Sequence, residues 1–233
     1  MFDTTKVLNQ AQSMKEIIIK ILEAILSLFK KTAKPIQDVV KPKENVAVIE
    51  TPLNKLHRAI IACCDEYNKK TETAGKNRAS WIDPMVKYFH GNLGDPYCAY
   101  GILFVLFVKV KEYYLVHYNE HIDFNLPMTG STQKLWNDSS KRYHTDKAKP
   151  GSIAIWKKKG TYRGHAAFCL SYSDQGIFKT FEFNTSSKNS LEVVRDGEGA
   201  YYKTRDMDGY SDMQLLGFID LEACMIRLDK MNV

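Results

Sequence analysis

Residues 150–186 read PGSIAIWKKKGTYRGHAAFCLSYSDQGIFKTFEFNTS, and this stretch decides the fold. After Pro150 the apolar positions recur with a period of two, as they do in β-strands. Lys158-Lys159-Gly160 and Asp174-Gln175-Gly176 are turn sequences. Segments 152–157, 164–173 and 177–186 therefore follow one another as antiparallel strands. Downstream, 192–196, 200–205 and 215–221 carry the same mark, with Asp196-Gly197-Glu198-Gly199 as a further turn.

Upstream of Pro150 the spacing is helical. Segments 53–67 and 81–89 read as helices separated by polar sequence. From Cys98 the string CAYGILFVLFVKVKEYYLV is apolar on nearly every side at first, which requires a helix buried all round. Ser131 is placed to cap a helix running through Trp136, and a polar loop then leads to Pro150. Helices first and an antiparallel meander second make an α+β fold.

Ahead of these lies residues 14–31, MKEIIIKILEAILSLFKK. Met14, Ile17, Ile18, Ile21, Leu22, Ile25, Leu28 and Phe29 fall at three-and-four spacing, so an amphipathic helix is expected. Pro35 and Pro42 amid Lys, Gln and Asn read as a linker. The division expected is an arm and linker over 1–45 and one folded domain over 46–233. The apolar stripe of the arm could pack on that domain, self-associate, dock on other protein subunits or lie on a membrane surface. Lys20 and Glu23 are evenly mixed on its polar side, which favours contact with protein.

The 233 residues carry 33 Lys+Arg against 27 Asp+Glu, a net charge of +6, with 44% hydrophobic residues. This is globular composition and excludes a disordered or collagen-like chain. The basic residues are spread along the sequence, so charge alone gives no nucleic-acid site. No apolar run approaches the roughly 20 residues of a membrane-spanning helix. The five cysteines, Cys63, Cys64, Cys98, Cys169 and Cys224, have neither the pairing of a disulfide framework nor zinc-site spacing. The opening Met-Phe-Asp-Thr-Thr lacks a basic n-region, so no secretory signal is read and synthesis in a reducing cytosol is expected.

Cys98 follows the turn Gly94-Asp95-Pro96-Tyr97 and opens the most apolar helix. Unpaired N–H groups and the helix dipole favour a thiolate there. A nucleophile also needs a base and a group to orient that base. If Asp174-Gln175 forms the hairpin loop, His165 faces Asn184 and lies diagonal to Glu182, and a slip of one residue leaves it beside one or the other. An acceptor on one ring nitrogen would fix the tautomer and leave the other for the sulfur. Alternation alone also allows Glu182 and Asn184 to sit on a solvated face opposite Phe181 and Phe183.

The combination of Glu72, Asn77-Arg78, Gly94-Asp95-Pro96-Tyr97-Cys98-Ala99, Lys149-Pro150-Gly151-Ser152, Gly164-His165, Glu182-Phe183-Asn184 and Arg205 resembles the CHAP (cysteine, histidine-dependent amidohydrolase/peptidase) family. The resemblance spans about residues 52–228, in order. It implies a papain-like fold, with Cys98 as nucleophile, His165 as base and acid, Glu182 orienting the imidazole and Asn184 as a further polar partner. It also implies cleavage of an amide bond of bacterial peptidoglycan, either between muramic acid and L-alanine or within the peptides, without metal or other cofactor. Some relatives bind calcium just before the cysteine, where this chain offers only Asp95 and Asn92. Tyr97, Ser152 and Phe183 stand where Trp, Asp and a small residue are usual. A bacteriophage lysin, free or carried in the virion, is the reading expected, made in the host cytoplasm and acting at the cell wall. The alternative is a virion structural or cargo protein that keeps the scaffold without catalysis.

Overall fold

A computed structural model describes residues 54–173, 175–188, 197–208 and 212–228. The amphipathic segment 14–31, its linker and the strand expected at 192–196 lie outside the described residues. Among the described residues no helix is long and apolar enough to cross a membrane.

Helix α1 (Lys55–Asp65) is capped by Asn54, whose side chain accepts the His57 N–H at 2.8 Å. Leu56, Ala59, Ile60, Cys63 and Cys64 fall on its buried stripe. Helix α2 (Asp83–Tyr88) has Pro84 in its first turn, where the missing N–H costs nothing. Then comes one helical run in three parts: α3 (Cys98–Phe104), a π-helical segment (Val105–Val110) and α4 (Lys111–Tyr118). Cys98 to Leu103 are all buried, as their unbroken apolarity demands. The run stops at Asn119, which adopts a left-handed φ of 53°. Strand β1 (His121–Phe124) follows, then α5 (Thr132–Asp138), whose cap is the expected Ser131 accepting from the Lys134 N–H at 3.3 Å.

The polar loop expected before Pro150 contains a 3₁₀ turn (Lys141–Tyr143) and a two-residue strand, β2 (His144–Thr145). The main strands are β3 (Ser152–Lys158), β4 (Gly164–Tyr172), β5 (Ile177–Thr185), β6 (Gly199–Asp206) and β7 (Met213–Asp220). A short helix, α6 (Leu221–Cys224), leads into β8 (Met225–Leu228). The main sheet has six strands in the order β2-β7-β3-β4-β5-β6, every neighbouring pair antiparallel. Strands β1 and β8 form a separate two-stranded sheet, which local patterning did not foretell.

One face of the main sheet, through Phe168, Phe181 and Phe183, shares a core with α1 and the long helical run. The opposite face carries its own cluster, in which Trp156 and Phe178 stack and Phe218 meets Phe178 edge-on. Both faces are therefore buried at β4 and β5. The alternation that left a solvated face possible for Glu182 instead places that residue in a dry second layer, at 0% exposure.

Candidate active site

Cys98 is delivered by a braced turn. Asp95 Oδ2 accepts the Asn92 N–H at 2.9 Å and the Tyr100 hydroxyl at 3.3 Å. Asn77 donates its side-chain amide to the Gly94 carbonyl at 2.9 Å and its own N–H to Glu72 at 2.8 Å. Tyr97 is buried, with the Trp81 ring edge-on at 5.6 Å. Gly101, one turn on, lets the helix lie directly on β5: a Cβ there would sit 2.3 Å from the Phe183 ring. Phe183, bulky as it is, thus points to the helical core and away from Glu182.

The other half comes from the β4–β5 hairpin. Its loop is wider than a two-residue turn, because the Ser173 N–H bonds the Ile177 carbonyl at 2.7 Å and Tyr172 pairs with Phe178. A bulge between Cys169 and Ser171 then shifts the ladder back, so that Ala167 pairs with Glu182. Two irregularities cancel, and His165 lies diagonal to Glu182 as expected. Gly164 precedes it at a point too tight for a side chain, since a Cβ would meet the Trp156 carbonyl oxygen at 2.5 Å and the Gln133 amide at 2.6 Å.

His165 Nε2 lies 3.0 Å from Glu182 Oε2, both side chains fully buried. The remaining nitrogen, Nδ1, is left for the Cys98 thiol, which approaches closely enough for each group to shift the other's pKa. The hydrogen bond between Nδ1 and the thiol is loose and falls short of full geometry. The sulfur also meets Thr132 Oγ1 at 3.7 Å, and the nearby Ala166 backbone N–H favours its charged form. Beyond Glu182, Arg205 donates Nε to Oε1 at 2.7 Å and Nη2 to Oε2 at 2.6 Å, and Thr180 donates its hydroxyl to Oε1 at 2.6 Å.

Asn184 stands apart. It occupies a bulge in β5 with a left-handed φ of 56°, and its buried side-chain amide has no hydrogen-bond partner among the described residues. The structure brings Cys98, His165 and Glu182 together and gives Asn184 no bond to them. Thr132 and Arg205 complete the surroundings without having been singled out as site residues. The inward-facing charge of Arg205 on an alternating strand was the available signal for one, and the first turn after the Ser131 cap for the other.

The electrostatics separate Cys98 from the other thiols. Burial pushes Cys63, Cys169 and Cys224 up to about 12 and Cys64 up as well. Burial acts on Cys98 in the same direction, yet the His165 hydrogen bond and charge, with Thr132 and the Ala166 N–H, outweigh it and bring the thiol below its ordinary value. For His165 burial opposes the charged form, but hydrogen bonds to Cys98 and Glu182 and their charges raise it to about 9. Burial likewise opposes the Glu182 carboxylate, and the Arg205 charge, the His165 and Arg205 hydrogen bonds and the His165 charge hold it well below the carboxylate range. The lowered thiol, the raised imidazole and the buried carboxylate behind it together favour a thiolate–imidazolium pair.

Cys98, 4% exposed, opens onto a groove of about 310 Å³ lined by Asp95, Tyr100, Thr132, Tyr162, Arg163 and Gly164 among others. Among the described residues no three His, Cys, Asp or Glu side chains are grouped to hold a metal ion. His144 and His117 are structural, stacked on Trp136 and lying over Tyr113 with ring centres 3.8 and 4.0 Å apart. Comparison with family models, with curated proteins and with solved structures gave no match.

Proposed function

We propose that this chain is a cysteine hydrolase of the CHAP type that cleaves an amide bond of bacterial peptidoglycan. The observation that carries the reading is a thiol at the head of a buried helix, paired with an imidazole that a buried carboxylate orients, beside an open groove. The order Cys, His, Glu in the chain and the spacing of the motifs connect this geometry to the family it resembles.

The chemistry follows from the charges. The Cys98 thiolate attacks the amide carbon, forming a carbon–sulfur bond, and the carbonyl oxygen takes up the negative charge. The free N–H groups at the helix start, that of Cys98 among them, are the donors for that oxygen. His165 Nδ1–H gives its proton to the amide nitrogen as the carbon–nitrogen bond breaks, and the amine leaves. The neutral imidazole then takes a proton from water, which attacks the thioester; the carboxylate product departs and the thiolate returns. Throughout, Glu182 holds Nε2 and so keeps Nδ1 aimed at the reaction.

Purified protein should clear a suspension of peptidoglycan, and Cys98→Ala and His165→Ala should each lower the rate at least ~1000-fold. Far-ultraviolet dichroism checks that both variants fold. Digestion by Cys98→Ala at the parent rate would refute the nucleophile. Mass spectrometry of the digested wall identifies the bond: a new amino terminus on L-alanine marks the muramoyl amide, and any other new terminus marks a peptide bond.

A further inference from the structure

Arg205 lies beyond the three residues that perform the chemistry, yet it is 1% exposed and makes two short hydrogen bonds to Glu182. Read outward from the groove, the side chains are Cys98, His165, Glu182 and Arg205. With the sulfur as thiolate and the imidazole protonated, their charges alternate: negative, positive, negative, positive. Burying charge in a dry site is costly unless it is balanced and hydrogen-bonded, and here the whole series sums to zero. Remove the guanidinium and the same series carries one net negative charge. The cheapest way to discharge it is a proton on the group at the wet end, the Cys98 sulfur.

We infer that Arg205 is a positioning residue that keeps Cys98 a thiolate, acting through Glu182 and His165 by balancing the charge of the buried series. The bidentate fork has a geometric part as well, since it fixes both carboxylate oxygens and hence the oxygen offered to His165. Other charged groups near the series are Asp95 and Arg163, which line the groove with Cys98, Lys203 on the same strand as Arg205, whose ammonium burial and the Arg205 charge disfavour while Glu182 and Glu198 favour it, and Asp206 next in sequence. Lys203 makes its hydrogen bond to the Lys188 carbonyl, so it does not replace Arg205 on Glu182. The inference holds for any amide substrate, and its test uses no cell wall.

The rate at which iodoacetamide alkylates Cys98 is followed against pH, with Cys98→Ala subtracting the other thiols. Arg205→Met removes the charge and keeps the bulk; Arg205→Lys keeps the charge and loses the fork. Arg205→Met should move the midpoint of alkylation up by about one pH unit, so that the rate below the midpoint falls about tenfold. Arg205→Lys should restore most of that loss. A purely structural role would lower the melting temperature and leave the midpoint where it is, and that result overturns the inference, as does an equal shift in both variants. The parent protein supplies a measurement independent of variant folding. The Arg205 Nε–H resonance should shift when the sulfur charge is removed by alkylation, and a resonance that stays in place refutes the coupling.

Discussion

At the scale of single residues, the site is a competition between burial and partners. Five buried cysteines meet the same desolvation, and only the one beside a protonated imidazole comes out below its ordinary pKa. The pair titrates jointly, and two assays should separate its members. Alkylation needs only the thiolate, so its rate should rise with the Cys98 titration and then stay level through pH 9 and beyond. Amide hydrolysis also needs the imidazolium as acid, so it should fall away with an apparent pKa of about 9. Coincident profiles on the alkaline side would contradict this assignment. Thr132 Oγ1 meets the sulfur from the first turn of α5, and toward a thiolate its hydroxyl can only donate. A hydrogen bond to a charged group is worth ~1.5–3 kcal/mol, so Thr132→Val should slow alkylation near neutral pH roughly tenfold or more, and Thr132→Ser should recover it. Equal rates in the parent and Thr132→Val would dismiss the contact.

Elements bring these residues within reach. The helical run from Cys98 and the strand carrying Glu182 touch at Gly101 and Phe183, with no room for a methyl group between them. Gly101→Ala should therefore either push the helix off β5 or tilt the Phe183 ring, destabilising the domain by ~1–3 kcal/mol. Denaturant titration measures that loss, and a drop in alkylation rate with it would mark displacement of Cys98. The hairpin shows how a correct inference can arrive by a less direct route. Turn chemistry alone gives a two-residue loop, whereas β4–β5 uses a wider loop and a bulge at Leu170 that restores the ladder. The register at the site is the expected one because burial of both faces selects it: a slip of one residue would exchange Phe181 and Phe183 with Glu182.

At the scale of the whole molecule, the second buried layer of the sheet is what turns a polar strand face into a dry, charged cluster. Glu182 stays ionised there, its carboxyl held well below the usual range despite burial. In the unfolded chain it would take up a proton near pH ~4.3, so on acidification the unfolded state binds more protons and stability must fall. This contribution is fully present above that pH and declines below it. Chemical denaturation at a series of acidic pH values should show a shallower decline in Glu182→Gln than in the parent, in proportion to one proton. An identical slope in the two would mean that other carboxylates control acid unfolding.

The sequence by itself determined the α+β order of elements, the buried helix headed by Cys98 and the Ser131 cap. These depend on period, turn residues and apolar runs, which are local properties. Only the tertiary structure decided that Glu182 is dry, that Arg205 and Thr132 join the site, and that Asn184 sits in a bulge without a hydrogen bond to it. The pairing of β1 with β8 belongs with these, since the two segments lie at opposite ends of the described fold in sequence. A threonine in a helix's first turn or an arginine on a strand looks the same whether it faces water or a carboxylate. What distinguishes them is the neighbour that long-range packing supplies, and no local pattern encodes that neighbour.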